Sequence, residues 1–196
     1  MDNDDYRRGR ETVHKKYRED LAILAGDGLL NSAYELMLNE IVSAQNIDEV
    51  KNVAKASKSI AIESGINGMI KGQIIDVFEV SKSREDILEM YTGKTCGLII
   101  AATTAAAYLS GMSNEIIKEM HDLGLYIGLA FQLQDDLLDI EQDDDINKLT
   151  YITFSDVDET KEKIDYYTEK ANEILNKYDN NDFMLNLTNY LVKRKF

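Results

Sequence analysis

The chain contains no proline in 196 residues. Proline breaks the interior of helices and is common where strands and turns alternate, so its complete absence permits long uninterrupted helices. Apolar residues recur at spacings of three and four, and alternation of β-branched residues is scarce, which is typical of amphipathic helices. We therefore predict an all-α protein.

The same periodicity predicts the helix boundaries. Glycine after a periodic run indicates helix ends at Gly65, Gly93 and Gly111, and Ser113 and Asp156 are predicted N-caps. Because no low-complexity linker is present, a chain of this length suits a single domain over residues 1–196. The predicted helices cover residues 18–44, 48–63, 66–80, 83–92, 94–109, 113–141, 156–178 and 181–193.

The charge of the chain limits its partners. A net charge of −14 and an isoelectric point near 4.5 argue against sequence-independent binding to nucleic acid, because the phosphates would be repelled. A polyanionic ligand would need cations to bind here.

Cysteine content and hydropathy predict a cytoplasmic protein. Cys96 is the single cysteine, which excludes an internal disulfide and suits a reducing compartment, and a buried apolar role for it outweighs a catalytic thiol. The N-terminus lacks the basic flank and apolar run of a signal peptide. The most apolar run, CGLIIAATTAAAYLSG, is too short and too rich in Thr and Ala to span a bilayer, so we predict a buried core helix and no membrane span.

The segment GLAFQLQDDLLDIEQDDD, residues 128–145, holds seven carboxylates and no Lys or Arg. On a helix, Asp135, Asp136 and Asp139 fall with Gln132 within about 100° of arc, opposite an apolar face. Carboxylates at this spacing repel, so they must be solvated, have raised pKa values or bind a metal. Oxygen-only ligands favour Mg²⁺. From the residues alone, an acidic surface patch and a magnesium site carry equal weight.

Glycines lie on the same side of this predicted helix. Gly124 and Gly128 share the arc of the carboxylates, and we interpret them as leaving room for a bulky ligand. The next acidic residues, Glu141 and 143–145, leave the arc and are predicted to form a solvated loop.

Two basic groups are candidate phosphate contacts. Arg7 and Arg8 present planar forks suited to phosphate oxygens, and nearby carboxylates could share a metal, although a mixed-charge surface turn is the alternative. Lys94 and Thr95 follow Gly93 at a predicted helix start, where free N–H groups attract phosphate. The earlier glycine and the preceding strand of a Walker A loop are missing, so this signal is weak alone.

The two histidines do not predict a metal centre. His14 lies among basic residues, and a phosphate contact and a solvated side chain both remain open for it. His121 has no Cys, second His or Glu at ligand spacing, so we predict a structural role.

Taken together, these segments resemble the trans-isoprenyl diphosphate synthases, most closely the bacterial short-chain farnesyl and geranylgeranyl type. GLAFQLQDDLLD is similar to the family's second aspartate-rich motif and Gly93-Lys94-Thr95 to its lysine motif. GQIID, residues 72–76, matches another family segment, and NKLTY is similar to a Lys-x-Thr-Tyr motif that includes Lys148. The likeness covers nearly the whole chain in the right order, and it implies an isoprenoid synthase-type helical bundle around a central cavity.

The N-terminus matches only part of the family pattern. Asp2, Arg7, Arg8 and Gly9 correspond to the second half of the first aspartate-rich motif. The first Asp pair of that motif, and an upstream Gly-Gly-Lys-Arg segment, would fall before Met1. We therefore expect an N-terminally truncated version of the fold, and we expect this chain alone to be inactive or severely impaired.

The resemblance implies a reaction and a set of roles. The reaction is a Mg²⁺-dependent condensation of isopentenyl diphosphate with an allylic diphosphate, dimethylallyl or geranyl, to a short-chain product such as farnesyl diphosphate, carried out by a homodimer. The implied metal ligands are Asp2, Asp135, Asp136 and Asp139. The implied catalytic residues at the allylic end are Lys94, Thr95 and Gln132. The implied diphosphate contacts are Arg7, Arg8, Lys94 and Lys148.

Other functions remain open at this point. A noncatalytic subunit of a heteromeric synthase would share these motifs. A class I terpene cyclase shares an aspartate-rich site and an α-fold, but the paired arginines and the two lysines fit condensation of two diphosphates better. A four-helix di-iron protein is disfavoured, because it needs a pair of Glu-x-x-His motifs.

Overall fold

The structure is a computed structural model in which residues 3–141 and 149–193 are described. These residues are helical apart from one short hairpin and the connecting turns, which confirms the all-α prediction. They group into two compact units, residues 1–54 and 55–196, and the boundary lies inside a helix.

The first unit begins with a hairpin that the sequence pattern does not predict. Strand β1, Tyr6–Arg7, pairs antiparallel with β2, Arg10–Glu11. The two residues between the strands, Arg8 and Gly9, both have positive φ, 53° and 72°. That is the backbone of a type I′ turn, which matches the twist of two-residue hairpins. A short helix α1, Val13–Tyr17, follows.

Helix α2, Glu19–Ser43, is the main element of this unit, and none of its residues is buried. Large apolar side chains are exposed along its length, including Leu29 at 75%, Leu36 at 63% and Val42 at 85%. A helix that is apolar on several sides normally lies against other protein on several sides.

The second unit contains the remaining helices. Most of them begin and end within about three residues of the predicted positions, a usual margin for boundaries read from sequence. The elements are α3, Ile47–Glu63, which crosses the unit boundary; α4, Met69–Val77; α5, Arg84–Tyr91; a π-helical turn, Thr92–Cys96; α6, Gly97–Leu109; α7, Asn114–Glu141; a 3₁₀ turn, Tyr151–Phe154; α8, Val157–Leu175; and α9, Asp182–Lys193.

Local signals set several helix ends as predicted. The Asp156 carboxylate accepts from the Glu159 N–H at 2.8 Å, and the Ser113 hydroxyl accepts from the Ile116 N–H at 3.4 Å, so both N-cap predictions are confirmed. Gly111 has φ 67° just after α6, where a left-handed residue ends the helix. The predicted stop at Gly93 is wrong, because the chain continues through the π-helical turn.

The core of the second unit forms around α7, which packs against α6 on one side and α8 on another. Leu133, Ile100 and Tyr151 are almost fully buried there. The apolar run that includes α6 is a core helix, as predicted. Cys96 has no exposed surface, which confirms its buried role. Within residues 3–141 and 149–193, no helix combines the length and the apolar character needed to cross a bilayer.

Candidate functional site

The π-helical turn carries the predicted Gly-Lys-Thr group. Tyr91 before it and Cys96 at its end both have helical backbone angles, so α5, the turn and α6 form one continuous helix. The backbone N–H groups here are therefore not free at a helix start, and that expectation is wrong. Single π-turns inside α-helices are frequent at functional sites, where the extra residue displaces the local side chains.

Close contact with α4 shapes this turn. A Cβ on Gly72 would lie 2.2 Å from the backbone nitrogen of Lys94, and one on Gly93 would lie 2.7 Å from the Gly68 carbonyl oxygen. Because no larger residue fits at either position, the backbones of α4 and the turn can touch. This explains the first residue of the GQIID segment.

Lys94 forms an ion pair with Asp76, the last residue of GQIID. The Asp76 side chain is 9% exposed and that of Lys94 28% exposed, so the ammonium is held at the edge of the protein interior. A carboxylate this deeply buried needs a charged or hydrogen-bonding partner. The motif that contains Asp76 does not by itself predict a role for this residue. Asp76 lies four residues after Gly72, which places both on one face of α4. This spacing is the sequence signal that could have indicated that Asp76 lies close to the Gly-Lys-Thr group.

Thr95 and Gln132, both predicted catalytic residues, contact each other directly. The Thr95 hydroxyl donates to Gln132 Oε1 at 2.7 Å, which joins the π-helical turn to α7. Gln132 Nε2 donates in turn to Asp136 Oδ1 at 3.3 Å. The amide is therefore held at both ends, and its orientation is fixed by its partners.

Asp136 lies inside the protein and is 3% exposed. The Tyr91 hydroxyl donates to its Oδ2 at 2.6 Å, and the Tyr151 N–H donates to the same oxygen at 3.3 Å. Burial raises the pKa of Asp136 to about 6, although the hydrogen bond from Tyr91 acts in the opposite direction. Burial and the neighbouring Asp136 charge raise the pKa of Tyr91. The metal-ligand role expected for Asp136 stays a prediction.

Asp135 and Asp139 have different surroundings from Asp136. Asp135 is half-buried and Asp139 is exposed, and they lie one turn apart on α7. Two carboxylates at this spacing suit Mg²⁺, which commonly takes one or two protein ligands and completes its shell with water and phosphate oxygens. The part of the chain that the structure describes contains no group of three or more His, Cys, Asp or Glu side chains arranged around a metal position.

The glycines of α7 do not leave room for a ligand, so that interpretation is wrong. A Cβ on Gly124 would lie 2.7 Å from the Ile100 Cα, and one on Gly128 would lie 2.6 Å from the Cys96 sulfur. Both glycines instead allow α6 and its preceding turn to approach α7 closely.

The predicted basic residues of the N-terminus lie in the first unit. Arg7 and Arg8 are exposed in the hairpin, and Lys15 forms an ion pair with Asp5 at 2.7 Å. His14 Nε2 lies 3.4 Å from the Thr12 hydroxyl. Asp2, Lys148 and the acidic residues 143–145 lie outside the described residues. Glu141 is the last residue of α7.

Among residues 3–141 and 149–193, His121 belongs to no cluster of metal-binding side chains. Its Nδ1 lies 3.3 Å from the Asp122 carboxylate, and its side chain is 46% exposed. The structural role predicted for His121 stays a prediction.

Solved structures with the same architecture define the class of protein. An FPP/GFPP synthase from Zymomonas mobilis matches with a TM-score of 0.89 and 29% identity, over 98% of this chain and 68% of that one. A geranyltransferase from Helicobacter pylori, complexed with magnesium and isoprenyl diphosphate, matches with a TM-score of 0.78 and 25% identity, over 98% of this chain and 66% of that one. The chain therefore has the all-α isoprenoid synthase fold of the prenyltransferases.

Relatives in sequence identify the family. A farnesyl diphosphate synthase from Micrococcus luteus is 33% identical over 208 residues, 99% of this chain and 69% of the relative. Geranylgeranyl pyrophosphate synthase 7, chloroplastic, from Arabidopsis thaliana is 33% identical over 214 residues, 100% of this chain and 60% of the relative. The chain thus spans about two thirds of the length of these relatives. The polyprenyl synthetase family model matches residues 1–184, across both units, and the chain belongs to this family.

Proposed function

We propose that the protein is a short-chain prenyl diphosphate synthase that condenses isopentenyl diphosphate with an allylic diphosphate. The observation that carries this proposal is the hydrogen bond between Thr95 and Gln132. Thr95 directly follows Lys94, whose ammonium is held by the buried Asp76 carboxylate. A fixed cation beside fixed polar oxygens suits a reaction in which a diphosphate leaves and positive charge develops on carbon.

Two residues of the π-helical turn, Lys94 and Thr95, have a task in this reaction. Lys94 binds the diphosphate of the allylic substrate through its ammonium, and Asp76 restrains the rotation of that side chain. The Thr95 hydroxyl directs its hydrogen to Gln132, so its lone pairs are left for the allylic carbon as positive charge develops there. Fixed dipoles of this kind need no reorganisation during the reaction.

The bond changes balance without a redox partner. The carbon–oxygen bond of the allylic diphosphate breaks, the double bond of isopentenyl diphosphate forms the new carbon–carbon bond, and the proton lost from the product goes to the released diphosphate. The products are a prenyl diphosphate five carbons longer than the allylic substrate and inorganic diphosphate.

Magnesium is the metal that the carboxylates fit best. Asp135 and Asp139 on α7, together with Asp2, are the ligands we propose. When bound, Mg²⁺ neutralises negative charge on the leaving diphosphate. The Helicobacter pylori geranyltransferase is complexed with magnesium and isoprenyl diphosphate, which supports magnesium as the metal.

Arg7, Arg8 and Lys148 are proposed contacts for the second diphosphate. Their cations complement phosphate, whereas a net charge of −14 repels anions elsewhere on the chain. The assignment rests on the motifs that contain these residues.

We also propose that the protein acts as a homodimer in the cytoplasm. The apolar side chains exposed along α2 support the proposal of a dimer. A helix with apolar side chains on several sides is stabilised when other protein covers them, and a second copy of the chain could do so. The single cysteine, buried and free, suits a reducing compartment.

A condensation assay tests the proposed activity. The protein is incubated with Mg²⁺, geranyl diphosphate and radiolabelled isopentenyl diphosphate, and extractable product is counted. We expect label in farnesyl diphosphate, its loss with excess EDTA, and a fall of about 100-fold or more in Asp135→Asn. Absence of labelled product at any Mg²⁺ concentration would contradict the proposal for this chain, and would instead agree with the inactivity expected from the partial match of the N-terminal motif.

A further inference from the structure

Asp136 is the meeting point of a buried hydrogen-bond network. Its Oδ2 receives the Tyr91 hydroxyl at 2.6 Å and the Tyr151 N–H at 3.3 Å, and the same N–H lies 3.2 Å from the Tyr91 hydroxyl oxygen. Its Oδ1 receives Gln132 Nε2 at 3.3 Å. These contacts connect the end of α5, the C-terminal part of α7 and the start of the 3₁₀ turn.

The burial of this network is nearly complete. Tyr91 and Asp136 are each 3% exposed, and Tyr151 is 1% exposed. Within the described residues, no lysine or arginine forms an ion pair with Asp136. A buried carboxylate is retained at a considerable cost in desolvation unless several hydrogen bonds satisfy it, and here both oxygens are satisfied.

These contacts conflict with metal binding at Asp136. Mg²⁺ keeps several water ligands when it binds a protein carboxylate, so it needs a carboxylate that reaches solvent. Both oxygens of Asp136 instead accept hydrogen bonds from protein donors, whereas its sequence neighbour Asp135 is half-buried.

We propose that Asp136 is a positioning residue and not a metal ligand. It holds the Gln132 amide in the orientation that leaves Oε1 free to accept from Thr95, and it is itself held by Tyr91 and by the Tyr151 backbone. The part of this inference that concerns catalysis rests on the proposed function. Asp136 thus acts through Gln132 and Thr95, whereas its neighbours Asp135 and Asp139 on the same arc of α7 are the proposed magnesium ligands.

Asp136→Asn distinguishes the two roles. The asparagine oxygen can still accept from Tyr91, but its NH₂ group faces Gln132 Nε2, so the glutamine amide must turn over and present N–H to Thr95. We expect kcat to fall about tenfold, because one hydrogen bond in the relay is reversed, while the Mg²⁺ concentration for half-maximal rate stays within about twofold of wild type. Asp135→Asn is the comparison, and it should raise that Mg²⁺ concentration.

A double-mutant cycle provides a readout that a purely structural role would not change. Thr95→Val should lower kcat in the wild type and have little further effect in Asp136→Asn, because both changes interrupt the same relay. Additive effects, or a shift in the Mg²⁺ requirement of Asp136→Asn like that of Asp135→Asn, would overturn the proposal.

Hydrogen exchange tests the network without any turnover. Exchange of the Tyr151 amide should be at least about tenfold faster in Tyr91→Phe and in Asp136→Ala than in the wild type, and unchanged in Asp135→Asn. Circular dichroism establishes whether each variant is folded. If Asp136→Ala does not fold, Tyr91→Phe alone tests the network. Unchanged exchange in folded Tyr91→Phe would refute the network even if the condensation assay succeeds. Faster exchange without any condensation would instead refute the proposed function and leave the structural role of Asp136 in place.

Discussion

At the residue scale, the site contains a charged side chain, Lys94, that is paired with a buried carboxylate rather than exposed to solvent. The Lys94 ammonium is paired with a carboxylate that is 9% exposed, whereas the nearby pair of Lys71 and Glu89 is more than half exposed on both sides. Both pairs connect α4 to the helix that follows it, so they form a natural comparison. Burial should make the Lys94–Asp76 pair contribute more to the free energy of unfolding than the exposed pair. A buried charge that loses its partner destabilises the folded protein, whereas an exposed charge is solvated by water.

Asp76→Asn should lower the free energy of unfolding by about 1–3 kcal/mol, because Lys94 would keep its charge at the protein edge without a counter-charge. Glu89→Gln, the matched control, should cost less than about 1 kcal/mol. Urea unfolding followed by circular dichroism measures both. Equal losses in the two variants would contradict the difference in burial as the cause.

Cys96 should be unreactive in the folded protein. Burial raises the pKa of its thiol to about 12, so the reactive thiolate is scarce at pH 8, and the side chain has no exposed surface. We expect negligible labelling by a thiol reagent in buffer and one equivalent of labelling in denaturant. Fast labelling of the folded chain would show that the packing of Cys96 against α7 opens readily.

At the element scale, helix contacts are made by small residues. Gly72 and Gly93 allow α4 to touch the π-helical turn, and Gly124 and Gly128 allow α6 to touch α7. The periodicity of the sequence predicted nearly every helix, because amphipathic spacing is a local property. The π-helical turn was not predicted, since TGKTCG has no periodic signature and its conformation depends on the backbone of α4.

Gly128→Ala should destabilise the protein by about 1–3 kcal/mol, because the new Cβ would meet a backbone atom that cannot move away. That atom is the Cys96 Cα, at 2.8 Å. Gly26→Ala in α2 is the control, since its Cβ would meet nothing within 4 Å and alanine favours a helix by about 0.8–1.0 kcal/mol over glycine. Thermal unfolding should therefore shift down for the first variant and not for the second. A stable Gly128→Ala protein would contradict the close contact of the two helices.

At the scale of the whole molecule, the described residues of the two units differ in how far their helices are buried. The second unit buries two apolar clusters, both of which include residues of α7, while α2 has no buried residue. Family membership was predictable from motifs that lie in the right order along the chain. The expected single domain remains a prediction, because the structure groups residues 1–54 and 55–196 separately while the family model runs across both.

Leu29→Glu should disrupt the proposed dimer, because a charge would be buried at the helix surface that we assign to the second copy. The Leu29 side chain is 75% exposed in the single chain. Sedimentation equilibrium should show a dimer for the wild type and a dissociation constant at least about 100-fold higher for the variant. Phe183→Glu on α9 is the control, with a similar exposure of 73%, and should leave association unchanged. A monomeric wild type would contradict the assignment.

The sequence by itself determined the helices, their caps, the buried cysteine and the family, because periodicity, end signals and motif order are properties of neighbouring residues. Tertiary structure alone decided what surrounds each side of a helix. Asp135 and Asp136 are adjacent and chemically identical, yet Asp136 is buried against Tyr91, which is 45 residues distant in the chain. Periodicity gives the angle between two side chains around a helix axis, but the environment at each angle comes from distant segments.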